Sequence, residues 1–282
     1  MKQLVAVMGR GLVAPNTALV TADDLGLTRG DGYYDAVRVV VSDGQARIDH
    51  LDRHLQRFAR SSAALDLPVF DEAGWRALIA EAVAAWDVPG EAVLKLVRTR
   101  GSENSPNGPT ELLTITPAAD ATKARQGVRA ITLSRGTASD AFADTPWLLG
   151  GLKTLSHAVN SAARREAVRR GADDAIFVTT DGFLLEAPTA GVIIAADDQL
   201  WTTPTSGTGV LPSITVEVVM DAARTQGVGA HEALFRPADL PDTDGLWIAS
   251  SIRGVMPVRE LDGVELPFSE ELTRHLARTA GF

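Results

Sequence analysis

The chain has 282 residues, 45% of them hydrophobic, which is enough to bury one large core or two medium ones. It contains no cysteine, so disulfides and thiolate chemistry are excluded, and a formal net charge of −9 with scattered basic residues speaks against a nucleic-acid partner. No apolar run is long enough to cross a membrane, no charged-then-apolar leader opens the chain, and the five histidines show no metal-ligand spacing. The expectation is a cytoplasmic protein with no membrane, nucleic-acid or metal partner.

Strand and helix patterns alternate along the whole chain, which predicts an α/β or α+β enzyme. Lys2 to Met8 reads as a first strand. Thr28 to Gly32 punctuates the chain, and Tyr33 to Val41 has strand composition, with Tyr34, Ala36 and Arg38 on one face and Tyr33, Asp35, Val37 and Val39 on the other. Ser42-Asp43-Gly44 turns this strand into a hairpin with Ala46 to Ile48. Leu51 to Leu65 reads as a helix burying Leu51, Leu55, Phe58, Ala59 and Leu65, with Arg57 emerging at the border of that stripe. A second helix, Asp71 to Trp86, takes Asp71 as its N-cap and buries Trp75, Leu78, Ile79, Ala82 and Val83. In the strand Glu91 to Arg100, Leu94, Leu96, Arg98 and Arg100 share a face, so the strand starts in the core and ends either at an anion site or at an exposed end. A polar loop, Gly101 to Pro109, leads to a strand over Thr110 to Thr116.

Pro117 to Gln126 is the best linker, and places the boundary between domains 1–120 and 121–282. Val128 to Leu133 restarts strand structure. Lys153 then stands before Leu155, Ala158, Val159, Ala162, Ala163 and Ala167, which recur at helical spacing up to a C-terminal Gly171. Ala175 to Val178 and Phe183 to Leu185 form a hairpin across Thr180-Asp181-Gly182, at whose far end lies Glu186. Two readings of this stretch stay open on the residues alone. Lys153 and Glu186 are an ordinary solvated lysine and an edge carboxylate, or Lys153 bonds to the aldehyde of pyridoxal phosphate while Glu186 keeps the pyridine nitrogen protonated. Downstream, Val192 to Ala196 and Leu200 to Thr203 pair around Asp197-Asp198. A glycine-rich loop, Ser206 to Gly209, feeds the helix Ile214 to Gln226, an arrangement suited to a phosphate. Leu246 to Ser250 is a strand, Ser251 to Gly254 a turn, and Phe268 to Thr279 a closing helix.

Seven segments occur in an order that resembles the class IV aminotransferases, pyridoxal-phosphate enzymes of fold type IV: RGDGYYDAVRV, HLDRHLQRF, LKLVRTRG, GLKTLSHAVNSAARREA, DGFLLEAPTAGV, GVLPSIT and ASSIRGVMPV. The resemblance implies a smaller N-terminal α/β domain, a C-terminal barrel-like domain, pyridoxal 5′-phosphate as cofactor, a small-molecule substrate and a homodimer. It matches Lys153 to the catalytic lysine that holds the cofactor aldehyde, Glu186 to the partner of the ring nitrogen, and Arg57 to the arginine that grips the phosphate. Ile214, Thr215 and Ser251 match further phosphate contacts, while Tyr34 and Arg100 match positions facing the substrate.

Departures from the family pattern are Ala187 and Gly191 after the glutamate, His157 in the lysine segment, and Arg253 where a small residue is common. Within the family the pattern looks most like the aminodeoxychorismate lyases, which release 4-aminobenzoate and pyruvate and serve folate biosynthesis. Arg98, Arg100 and Arg253 would then clamp the two substrate carboxylates. D-amino-acid or branched-chain transamination is the alternative, and a non-catalytic cofactor-binding relative the remaining one.

Overall fold

The computed structural model describes residues 2–104 and 108–282, so the middle of the expected 101–109 loop lies outside the described residues. Two compact units result: Met1–Ala119 with Leu152–Ser156, and Asp120–Gly151 with His157–Phe282.

The first unit contains β1 (Leu4–Val7), β2 (Gly11–Val13), α1 (Leu25–Arg29), β3 (Gly32–Ser42), β4 (Gln45–Ile48), α2 (Leu51–Ala64), α3 (Glu72–Ala84), β5 (Gly90–Thr99) and β6 (Glu111–Pro117). The strands form one sheet in the order β2-β1-β6-β5-β3-β4, and every pairing is antiparallel. Alternation decides which face is covered: Val37 and Val39 of β3, Leu94 and Leu96 of β5, and Leu113 and Ile115 of β6 are all fully buried. Phe58 of α2 and Trp75 of α3 close this core, their ring centroids 5.1 Å apart in edge contact. Asp71 caps α3 as expected, accepting from Gly74 N at 2.9 Å. Thr28 and Arg29, read from sequence as turn residues, instead end the short helix α1, because Asp24 caps it through Gly26 N.

The second unit contains α4 (Thr122–Gln126), β7 (Val128–Ser134), α5 (Ala158–Arg169), β8 (Asp174–Val178), β9 (Gly191–Ala196), β10 (Gln199–Thr202), α6 (Ile214–Thr225), β11 (Ala230–Glu232), β12 (Gly245–Ser250), β13 (Gly254–Leu261), β14 (Val264–Glu265) and α7 (Glu270–Thr279). The strand order is β11-β10-β9-β12-β13-β7-β8, with β14 beside β13. β7 and β8 run parallel, joined through α5. β9, and β12 up to its terminal Ser250, are apolar throughout because both faces are covered. Val192, Ile194, Leu246 and Ile248 face one core with Met256 and Val258. Ile193, Ala195, Trp247 and Ala249 face the other with Val219, Met220 and Leu276. Each of the larger aliphatic side chains among them contributes roughly 1.5–3 kcal/mol through burial.

Three expectations are corrected. The 117–126 stretch is not a bare linker, since β6 runs to Pro117 and α4 follows. β13 has no counterpart in the sequence reading; its apolar residues are bounded by a turn with no alternation to mark them. The third concerns Leu152–Ser156, which the sequence places in the second domain. It belongs to the first unit, where Tyr34 N donates to Lys153 O, Leu155 N donates to Gly32 O, and Tyr33 bridges Thr154.

Candidate active site

Lys153 is positioned by strand pairing and not by a helix. α5 begins five residues later, and only Ala163 and Ala167 of its expected apolar stripe are buried, while Val159 is exposed. The 153–155 backbone instead lies against β3, held by the two hydrogen bonds to Tyr34 and Gly32, 3.0 and 2.9 Å long. Only glycine fits at 32: a Cβ there would stand 2.7 Å from Arg98 O and 2.9 Å from the Leu155 side chain. Lys153 Nζ sits 4.6 Å from the Tyr34 ring centroid, a cation–π distance. Burial, reinforced by the neighbouring Asp35 charge, pushes the Tyr34 hydroxyl up to about 12, so it stays neutral.

On the opposite face of β3, Asp35 is fully buried and meets α2. Its carboxylate accepts from Arg57 Nε at 2.9 Å, from Arg57 Nη2 at 2.8 Å and from Ala36 N at 2.7 Å, and lies 2.8 Å from His54 Nδ1. Burial alone would raise the Asp35 pKa. The Arg57 charge and the His54 hydrogen bond outweigh it and hold the carboxyl below the usual carboxylate range. Burial is also the main force on His54, and keeps its pKa below the ordinary histidine value despite Asp35. Arg57 was expected at the border of the core; it is buried, because Asp35 supplies the counter-charge. Asp35 and His54 were not singled out from sequence, although an aspartate in an apolar strand and a histidine three residues before Arg57 were the available signals.

In the second unit, the hairpin after β8 brings Glu186 opposite Phe177, whose N–H donates to Glu186 O at 2.9 Å. Glu186 Oε2 accepts from Leu211 N at 3.3 Å. Asn160 of α5 secures the following turn through Pro188 O at 2.8 Å. Ser213 caps α6 by accepting from Val216 N, and Ile214 and Thr215 are buried in its first turn. Thr215 Oγ1 lies 3.5 Å from Ser251 Oγ. Gly191, a departure from the family pattern, lets β9 approach this helix start: a Cβ would stand 2.9 Å from both Ser213 Cβ and Val216 Cγ2.

The three arginines expected to clamp substrate carboxylates each face a carboxylate of the chain itself. Arg98 is buried, with Nε 2.7 Å from Glu111 Oε1 and Nη1 donating to Ser62. Burial pushes Glu111 up even beside that arginine. Arg100 donates to Asp31 at 2.6 Å and to Leu65 O at 2.7 Å, and is a third exposed. Arg253 donates to the buried Asp174 at 2.7 Å and to Thr189 Oγ1 at 2.9 Å, tying the start of β8 to the turn after Glu186. His157 immediately precedes α5. Among the described residues there is no group of three or more His, Cys, Asp or Glu able to hold a metal, and no helix long and apolar enough to cross a membrane.

Taken unit by unit, the groups fit pyridoxal phosphate: the first carries an amine suited to the aldehyde and an arginine suited to the phosphate, and the second a carboxylate suited to a protonated ring nitrogen, with a helix N-terminus and two hydroxyls suited to the phosphate. Fold and residues together define a pyridoxal-phosphate enzyme of fold type IV.

The family model for class IV aminotransferases matches residues 32–261, and the chain belongs to that family. It is 37% identical over 274 residues to a bifunctional aminodeoxychorismate lyase / D-amino acid transaminase of Mycobacterium tuberculosis, covering 94% of this chain and 93% of the relative. A hypothetical aminotransferase from the same organism, solved with pyridoxal phosphate bound, superposes with a TM-score of 0.91 at 37% identity, covering 98% of both chains. A fold IV transaminase from Curtobacterium pusillum gives a TM-score of 0.91 at 36% identity over 100% of both chains. The protein is accordingly a pyridoxal-phosphate-dependent enzyme with a mixed α/β fold.

Proposed function

We propose that the protein is an aminodeoxychorismate lyase, converting 4-amino-4-deoxychorismate to 4-aminobenzoate and pyruvate for folate synthesis. The observation that carries this reading is the near-complete, 37% identical match to a relative whose name includes that activity. The same name includes D-amino acid transamination, which makes that the second reading; branched-chain substrates rank below it.

Lys153 would hold the cofactor aldehyde, and its free amine would take the proton from the amine-bearing carbon of the substrate as general base. Bound at this site, the cofactor supplies an electron sink for the electrons left behind. Glu186 keeps a proton on the ring nitrogen, and its own orientation is maintained by Leu211 N. Arg57 of the first unit, and Ile214, Thr215 and Ser251 of the second, are the residues that would hold the phosphate. The proton held by Lys153 then passes to the methylene carbon of the departing enolpyruvate, which leaves as pyruvate while the ring becomes aromatic. Tyr34 faces the substrate, and Arg100, the most exposed of the three paired arginines, reaches it by giving up Asp31. Arg98 and Arg253 could do so only by leaving Glu111 and Asp174, so we assign them to the scaffold.

We also infer a cytoplasmic homodimer from the family resemblance. Incubation with aminodeoxychorismate, and separately with D-alanine and 2-oxoglutarate, tests the reaction. Pyruvate and 4-aminobenzoate in equal amounts are expected from the first. Transamination in the second with no 4-aminobenzoate in the first would refute the lyase reading.

A further inference from the structure

We propose that Asp35 is a positioning residue for the cofactor phosphate, acting through Arg57. This inference rests on the reading of Arg57 as the phosphate arginine.

Three charged or titratable side chains, Asp35, His54 and Arg57, lie together with 0, 1 and 6% exposure. Stability alone is a poor reason to retain such a cluster, because apolar side chains of similar volume serve a core as well or better. Geometry supplies another reason. Asp35 engages Arg57 side-on through both Nε and Nη2, which fixes the guanidinium plane and withdraws the rotamer freedom of a long side chain. The carboxylate is itself held by the Ala36 backbone and by His54, so the orientation is anchored to β3 and to α2 together. Strand alternation places Tyr34, and with it Lys153, on the opposite face of the same strand. One short piece of β3 therefore sets both the amine and the guanidinium.

Charge separates this idea from a simpler one. With Asp35 ionised and His54 neutral, the cluster carries no net charge. If attraction by net charge governed phosphate binding, removing the Asp35 charge would tighten it. If orientation governs, the same change weakens binding, and only for ligands that bear the phosphate.

Apoenzyme is titrated with pyridoxal phosphate and, separately, with phosphate-free pyridoxal, following the visible absorption of the lysine adduct in wild type, Arg57→Ala, Asp35→Asn and the double variant. Asp35→Asn should raise the Kd for pyridoxal phosphate by about tenfold or more, as loss of an orienting partner does elsewhere. Its Kd for pyridoxal should stay within about twofold. In the Arg57→Ala background, Asp35→Asn should no longer alter the ratio of the two constants. Should Asp35→Asn not fold, His54→Asn replaces it, with a selective loss of about threefold expected for one weakened hydrogen bond. If Arg57→Ala loses phosphate selectivity while Asp35→Asn or His54→Asn binds pyridoxal phosphate as tightly as wild type, or more tightly, the Asp35 inference is overturned and the Arg57 reading stands. If Arg57→Ala weakens both ligands equally or neither, the Arg57 reading itself falls.

Discussion

Gly150→Ala is expected to destabilise the protein because of one ring. Phe142 is pressed between Gly150 and Gly209: a Cβ on Gly150 would fall well inside contact with Phe142 Cδ1, 2.9 Å from Phe142 Cγ and 3.0 Å from Gly209 Cα. Gly150 has an ordinary φ, so alanine incurs no backbone strain and would gain roughly 0.4–1 kcal/mol by restricting the unfolded chain. Overpacking against a ring and a backbone atom costs about 1–3 kcal/mol, so the steric term wins and a net loss of about 1–2 kcal/mol is expected. The displaced loop is the one whose backbone joins Gly207 O to Phe142 N and Gly209 O to Gly151 N, and it runs on to Leu211, whose N–H donates to Glu186. Cofactor retention should therefore weaken together with stability. Urea titration of wild type, Gly150→Ala, Phe142→Ala and the double variant measures the effect. In the Phe142→Ala background Gly150→Ala should become neutral or mildly stabilising, giving a coupling of about 1–2 kcal/mol. A Gly150→Ala protein at least as stable as wild type, with Phe142 intact, would show that the ring yields without cost.

Lys153→Ala should abolish the visible absorption of the cofactor adduct and lower turnover by roughly 10²–10⁴-fold or more; a variant that stays yellow and active would assign the chemistry elsewhere. The chain has two tyrosines, and both hydroxyls are raised by burial, Tyr34 to about 12. Spectrophotometric titration of the folded protein should detect no phenolate near pH 10, where the unfolded chain ionises, and appearance of a full phenolate equivalent there would contradict the buried environment. The His54 pKa is lowered in the folded state, so the unfolded chain takes up its proton first as pH falls. Its contribution to stability is complete above about pH 6.5 and diminishes below it. The urea midpoint of wild type should fall more steeply from pH 7 to pH 5 than that of His54→Gln; equal slopes would exclude His54 as the source.

Much of the local structure was legible in the chain order of residues. Asp71 and Ser213 cap the helices they precede, Asp43-Gly44 and Asp197-Asp198 turn the hairpins they were expected to turn, and the Schellman pattern of Ala172 N to Ala167 O ends α5 at Gly171. These are local decisions, made by a few neighbouring residues through backbone dihedrals and short-range hydrogen bonds, and a sequence displays them directly. What the tertiary structure alone decided is where charged groups find partners. Arg98, Arg100 and Arg253 carry the same charge in the sequence as Arg57, yet the first three are met by Glu111, Asp31 and Asp174, and Arg57 by Asp35. Pairing across 13, 22, 69 or 79 positions depends on which strands become neighbours. The same holds for Lys153: periodicity assigned it to a helix start, and pairing with β3, more than a hundred residues earlier, placed it instead beside Tyr34.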